Sequence, residues 1–116
     1  MVVDDNHEAA KILAIALDMF GAEAKVCHDG PSALTLLEEF HPQLIFLDIG
    51  MPGMDGHEVA RRIRALPAYS KVRIIGLSGW GQEEVRRRSA EAGFDEHLVK
   101  PIDISGLQRL LASATG

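Results

Sequence analysis

Cysteine is almost missing from this chain of 116 residues. Cys27 stands alone, which excludes a disulfide framework and a thiolate metal site and points to a reducing cytoplasm as the expected compartment. Long apolar runs are missing too: no stretch approaches the roughly 18 consecutive residues of a membrane span. Nor does a basic segment followed by an apolar one mark a signal peptide at the N-terminus. An excess of basic residues is equally absent. The net charge of -5 argues against nonspecific affinity for nucleic acid, which needs clustered Lys and Arg to neutralise phosphates. The one basic cluster, Arg86-Arg87-Arg88, follows Glu83-Glu84 and reads as a solvated helix face. Without linkers, repeats or low-complexity segments, the length predicts one domain over residues 1–116.

What is present is an alternation of short apolar runs with longer amphipathic stretches, the pattern of an α/β protein with a parallel sheet. Strands are predicted near 1–4, 23–27, 43–48, 72–77 and 95–99, and helices near 7–20, 31–40, 57–66, 82–92 and 104–113. In the first helix Ala9, Ile12, Leu13, Ala16 and Phe20 are expected to share the buried face, leaving Ala10, Ala14 and Ile15 outside it. Val59, Ile63 and Leu66 should do the same in the third helix, and Ile104, Leu107 and Leu111 in the last. The stretch 82–92 has only Val85, Ala90 and Ala92 as apolar residues, so it is expected to be weakly anchored. The first strand is short for its class, as in a module taken from a longer protein or in an abbreviated, free-standing one.

Three of the runs end in charge. Val2-Val3 meets Asp4-Asp5, Leu44 to Leu47 meets Asp48, and Leu98-Val99 meets Lys100-Pro101; Val72 to Leu77 ends in Ser78-Gly79. In a doubly wound sheet of order 2-1-3-4-5, ligands bind beyond the carboxyl ends of the strands, where the order reverses between strands 1 and 3. Three carboxylates gathered there should raise one another's pKa, and a divalent cation relieves that repulsion. All-oxygen ligands select Mg2+, and no Cys or His cluster offers zinc or copper an alternative. One carboxylate can then attack phosphorus as a nucleophile. Asp48, alone at the end of the central run, is the candidate, with Asp4 and Asp5 as metal ligands. Lys100 and the Ser78 hydroxyl would meet phosphate oxygens, and Gly79 leaves room for backbone N–H groups to approach. Taken singly, an Asp after a strand is a turn or a helix cap; taken jointly, these endings fall on one edge of one sheet.

The stretches VVDDN (2–6), LIFLDIGMPGMDG (44–56), IIGLSGW (74–80) and EAGFDEHLVKPID (91–103) resemble, in order and spacing, the receiver domains of two-component response regulators. The resemblance covers essentially the whole chain. It implies a flavodoxin-like (βα)5 fold, with Asp48 as phosphoacceptor and Asp4, Asp5, Asp48 and the Gly50 carbonyl around Mg2+. It also implies Ser78 and His97 as switch residues, Lys100 as the family's lysine, and a cis bond before Pro101. Gly50 and Trp80 match the two positions that tune phosphoryl lifetime, and their identities imply a lifetime limited more by partners than by intrinsic hydrolysis. His97 stands where Tyr or Phe is commoner. It is expected to turn inward on phosphorylation, remodelling the face built by the stretches 82–92, 95–99 and 104–113.

By the same resemblance the donor is a histidine kinase or histidine phosphotransfer protein, docking near the first helix. The output partner is undefined, no contact with nucleic acid or membrane is expected, and a phosphorylation-dependent homodimer stays open. The wording of the last third is similar to receivers attached to hybrid sensor kinases. Three other readings compete. A flavodoxin-like FMN carrier would want a Ser/Thr/Gly-rich phosphate loop after the first strand, where DDNHE is acidic and would repel phosphate without a metal. A Mg-dependent aspartyl-phosphate phosphatase would need an acid two residues after the nucleophile, where this chain has Gly50; a structural module that is never phosphorylated would need none of the charged endings. A domain that catalyses only its own phosphorylation and dephosphorylation is the expectation.

Overall fold

The computed structural model describes residues 1–51, 53–78, 93–100 and 102–115, the last three of these as backbone only. The helix expected near 82–92 lies outside the described residues. Along the chain run β1 (Val2–Val3), α1 (His7–Met19), β2 (Val26–Cys27), α2 (Gly30–Phe40), β3 (Leu44–Asp48), α3 (Gly56–Ala65), a 3-10 turn (Pro67–Tyr69), β4 (Arg73–Ser78), β5 (Glu96–Val99) and α4 (Ile104–Thr115). The strands pair in parallel in the order β2-β1-β3-β4-β5, the flavodoxin-like topology expected.

Alternation along the strands divides the core in two. Val3, Ile45, Leu47 and Ile74 pack with Leu37 of α2 and with Val59 and Ile63 of α3. Val2, Phe46, Ile75 and Leu77 face the other way, onto Leu13 and Leu17 of α1 and Leu107 and Leu110 of α4. Because helices cover both faces, β3 and β4 are buried on both sides, and for that reason they read as unbroken apolar runs. α1, α2 and α3 each start where a short polar side chain accepts from the first turn: Asn6 from the Ala9 N–H at 3.0 Å, Asp29 from Ser32 at 2.7 Å, and Asp55 from Glu58 at 3.0 Å.

Three expected faces are displaced. In α1 the buried residues are Ala10, Leu13, Ala16 and Leu17, while Ile12 is 68% exposed. The helix is apolar around most of its circumference, so two overlapping stripes fit the same period, and contact with Phe46 and α4 selects the one containing Ala10. Ile104 is exposed because α4 turns Leu107 and Leu110 inward. Leu66 is exposed because the backbone leaves the helix there, at ψ 120°. β2 is shorter than the predicted 23–27, since β1 offers it only Val2 and Val3 as partners.

Candidate functional site

The register fixes what meets at the carboxyl edge. Val3 lies beside Leu47, Asp48 beside Leu77, and Ser78 beside Val99, so Asp4, Asp48, Ser78 and Lys100 fall side by side just where pairing ends. One carboxylate oxygen from each of Asp4, Asp5 and Asp48 lies within 4.8 Å of the others. Asp4 is 1% exposed and Asp48 8%, whereas Asp5 faces solvent. Ser78 ends β4 and is buried; its carbonyl accepts from the Lys100 N–H at 2.7 Å, which pins β5 to β4 at the site.

Lys100 reaches the carboxylates unequally. Its Nζ donates to Asp4 Oδ2 at 2.7 Å and lies 3.7 Å from Asp48 Oδ1. Asp48 Oδ1 also accepts from the Gly50 N–H at 3.2 Å, and the Asn6 N–H donates to Asp4 Oδ1 at 3.0 Å. These contacts separate two buried acids that sequence alone treats alike. Burial pushes Asp48 up to about 6, and the neighbouring Asp4 charge adds to it against the pull of Lys100. Burial acts on Asp4 in the same sense, but the hydrogen bonds from Lys100 and Asn6 outweigh it and hold that carboxyl below its usual range. The expected mutual raising therefore falls on Asp48 and not on Asp4. Like charges in one crevice push their titrations apart, and the better-bonded member keeps its charge.

The hard oxygen donors fit a cation of the Mg2+ type. The charge balance points the same way, with three carboxylates gathered together and one lysine reaching two of them. Around Gly50 there is open space, the nearest atom to a Cβ built there being Asp48 Oδ1 at 4.0 Å. His97 lies in β5 with its Nε2 buried, so the tip of the ring is already turned toward the sheet. Gly79, Trp80 and Pro101 lie outside the described residues.

Two contributors escaped sequence reading. Gly56 opens α3 so close to β3 that a Cβ would lie 2.4 Å from the Asp48 carbonyl oxygen; the only signal was a glycine in the first turn of a helix. His28 Nδ1 lies 3.0 Å from the Asp4 carbonyl oxygen, and its ring stacks on His7 at 3.6 Å between centroids, a pairing across 20 intervening residues with no local signature.

Comparison with known proteins agrees with this geometry. A family model described as the response regulator receiver domain matches residues 1–112. The chain is 37% identical over 111 residues to an uncharacterized 14.6 kDa protein in the sodA1 3' region of Leptolyngbya boryana, covering 96% of this chain and 85% of that protein. It is 35% identical over 119 residues to the virulence sensor protein BvgS of Bordetella bronchiseptica, where it covers 98% of this chain and only 10% of BvgS. The chemotaxis protein CheY4 of Vibrio cholerae shares the fold with a TM-score of 0.91 at 26% identity, over 97% of this chain and 94% of that one. Since these matches run through all five strands and through both ends of the acidic pocket, the chain belongs to the response regulator receiver domain family.

Proposed function

We propose that this chain is a single phosphoacceptor domain in which Asp48 takes a phosphoryl group from a phosphohistidine donor. The observation that carries the proposal is the placement of Asp48: a buried carboxylate at the end of the central strand, gathered with Asp4 and Asp5 and within reach of the Lys100 ammonium. A carboxylate oxygen of Asp48 forms the new P–O bond while the P–N bond to the donor imidazole breaks and its electron pair returns to nitrogen. Lys100, held between Asp4 and Asp48, is placed to meet a phosphoryl oxygen, and the Ser78 hydroxyl is the second reader of that charge. Asp4, Asp5 and Asp48, with the Gly50 carbonyl, would hold Mg2+. Bound there, the cation would neutralise charge on the transferring group. Gly50, two residues after the nucleophile, supplies no general acid, which favours a switch over a phosphatase with turnover.

The new charge at Asp48 would draw Ser78 and Lys100 toward it and bias the packing of β5 and α4, with His97 following. The donor would be a histidine kinase or a histidine phosphotransfer protein, because similar stretches occur in proteins named as sensors, BvgS and the sensor histidine kinase RcsC of Escherichia coli. Among the described residues no helix is long and apolar enough to cross a membrane; a cytoplasmic site of action is part of the proposal. Titration with beryllofluoride and Mg2+, followed by amide NMR, tests it. A saturable change centred on Asp48, Ser78 and Lys100 that Asp48→Asn abolishes is the expected result. An unchanged spectrum would leave the structural-module reading in its place.

A further inference from the structure

Between Ile75 and Leu77, β4 carries a glycine. Gly76 lies in register with His97 of β5, so the two positions face the same side of the sheet. A Cβ built on Gly76 would lie 3.0 Å from Ile49 Cδ1, 3.0 Å from Phe94 Cδ1 and 3.2 Å from His97 Cε1. Side chains from the end of β3, from the approach to β5 and from β5 itself thus converge on the space that a side chain at 76 would occupy. The imidazole stacks on Phe94, with centroids 6.2 Å apart at 29°, and Phe94 meets the ring of buried His57 edge-on at 5.9 Å and 74°. The part of the His97 ring sunk against β4 is its far edge, where Cε1 faces the space a Cβ at 76 would take and Nε2 is buried.

We infer that Gly76 is a positioning residue of this receiver: the side chain it lacks leaves the seat in which the His97 ring lies inward on β4. The inference rests on the proposed function in taking His97 as the residue whose packing follows the phosphoryl signal. The three atoms nearest to a Cβ at 76 belong to Ile49, Phe94 and His97 and none to the acidic residues or Lys100, so the route to the pocket runs through the ring. If the inward packing is the one a phosphoryl group favours, the apparent affinity for a phosphoryl analogue scales with the fraction of chains already packed that way. A side chain at 76 takes space from the inward-packed ring and from the tips of Ile49 and Phe94 beside it. Alanine intrudes on three side-chain tips that each have to yield by a few tenths of an ångström; valine adds branches that the seat does not hold.

The test compares the full chain with Gly76→Ala, Gly76→Val, His97→Ala and the double variants with His97→Ala. Two quantities are read: the imidazole Cε1–H resonance of His97, and the affinity for beryllofluoride in the presence of Mg2+. In the unsubstituted chain the resonance should be displaced by the Phe94 ring current. Gly76→Val should lose that displacement and bind the analogue about tenfold more weakly, the size expected of overpacking, with Gly76→Ala between. On the His97→Ala background the same substitutions should leave the affinity where His97→Ala alone puts it. An undisplaced resonance in the unsubstituted chain, or one that Gly76→Ala and Gly76→Val leave in place, overturns the inference. So does an affinity loss that persists on the His97→Ala background, which would mean that Gly76 acts through Ile49 and Phe94 alone. Should Gly76→Val not fold, Gly76→Ala carries the comparison. If the unsubstituted chain binds no beryllofluoride, the phosphoacceptor reading fails, while the resonance comparison still decides the seat.

Discussion

Asp48 sits in a position that its own charge makes costly. Its folded pKa of about 6 lies above the roughly 3.9 of an unfolded aspartate, so between those values the folded chain holds the extra proton. Stability should fall as pH rises through that window and level off above it. Asp48→Asn, which cannot ionise, should therefore stabilise the metal-free protein on the order of 1–3 kcal/mol at pH 7, and the gain should vanish near pH 4. Urea unfolding in EDTA at the two pH values checks this; a gain confined to acid would contradict it. Lys100 gives a second residue-scale expectation. A cation entering the pocket must share Asp4 with the ammonium already bonded to it at 2.7 Å. Lys100→Met should then bind Mg2+ about tenfold more tightly, the worth of a charge-assisted hydrogen bond, while phosphorylation by acetyl phosphate slows. Isothermal titration and a phosphorylation time course read the two effects. Asp48 was legible in the sequence because a strand buried on both faces shows any charge as a break in an apolar run. The preference of Lys100 for Asp4 was not, since it depends on fractions of an ångström between strands that are far apart in the chain.

At the scale of elements, α1 shows what periodicity leaves undecided. Leu13 and Ala16 belong to either candidate stripe; only the packing against Phe46, Leu107 and Leu110 turns Ala10 inward and leaves Ile12 out. The result is an exposed row of Ile12, Ile15 and Met19 at helical spacing, starting in the second turn of α1. Such a row suits the apolar flank of a helical donor. Ile15, half exposed, was placed outside the buried face from sequence, and Ile15→Glu should slow phosphotransfer from a phosphohistidine protein about tenfold or more, since a buried charge without a partner is costly at an interface. Phosphorylation by acetyl phosphate should be unchanged, because nothing in the pocket is touched. Equal slowing with both donors would place the effect in the fold and not in docking.

For the whole molecule, the pocket exists only when the first and last strands are both in place: the Lys100–Asp4 bond joins residues 96 positions apart. Topology of this kind was readable from the order of strands and helices, but the side chain that secures the opposite end of β5 was not. Arg64, at the end of α3, donates through Nε to the Gly93 carbonyl at 2.9 Å and through Nη1 to the carbonyls of Ser70, at 3.1 Å, and Val72. Its Nη2 pairs with Asp95 at 2.6 Å, and the same Asp95 oxygen accepts from the Ile74 N–H at 2.8 Å. One guanidinium thus ties α3, the entry to β4 and the entry to β5 together, and the sequence shows it only as one arginine among three in an amphipathic helix. Gly93, at φ +105°, lies so close that a Cβ there would approach Arg64 Cγ at 2.7 Å. Removing the guanidinium takes a donor from the carbonyls of Gly93, Ser70 and Val72 and from the partly exposed Asp95 carboxylate, a loss of roughly 1–3 kcal/mol. Arg64→Ala should lower the urea midpoint accordingly with an unchanged slope, and Arg64→Lys should recover little, since a point charge cannot span a forked set of acceptors. A midpoint shift worth less than about 0.5 kcal/mol, the range of ordinary surface substitutions, would mean that β5 is held in place without it.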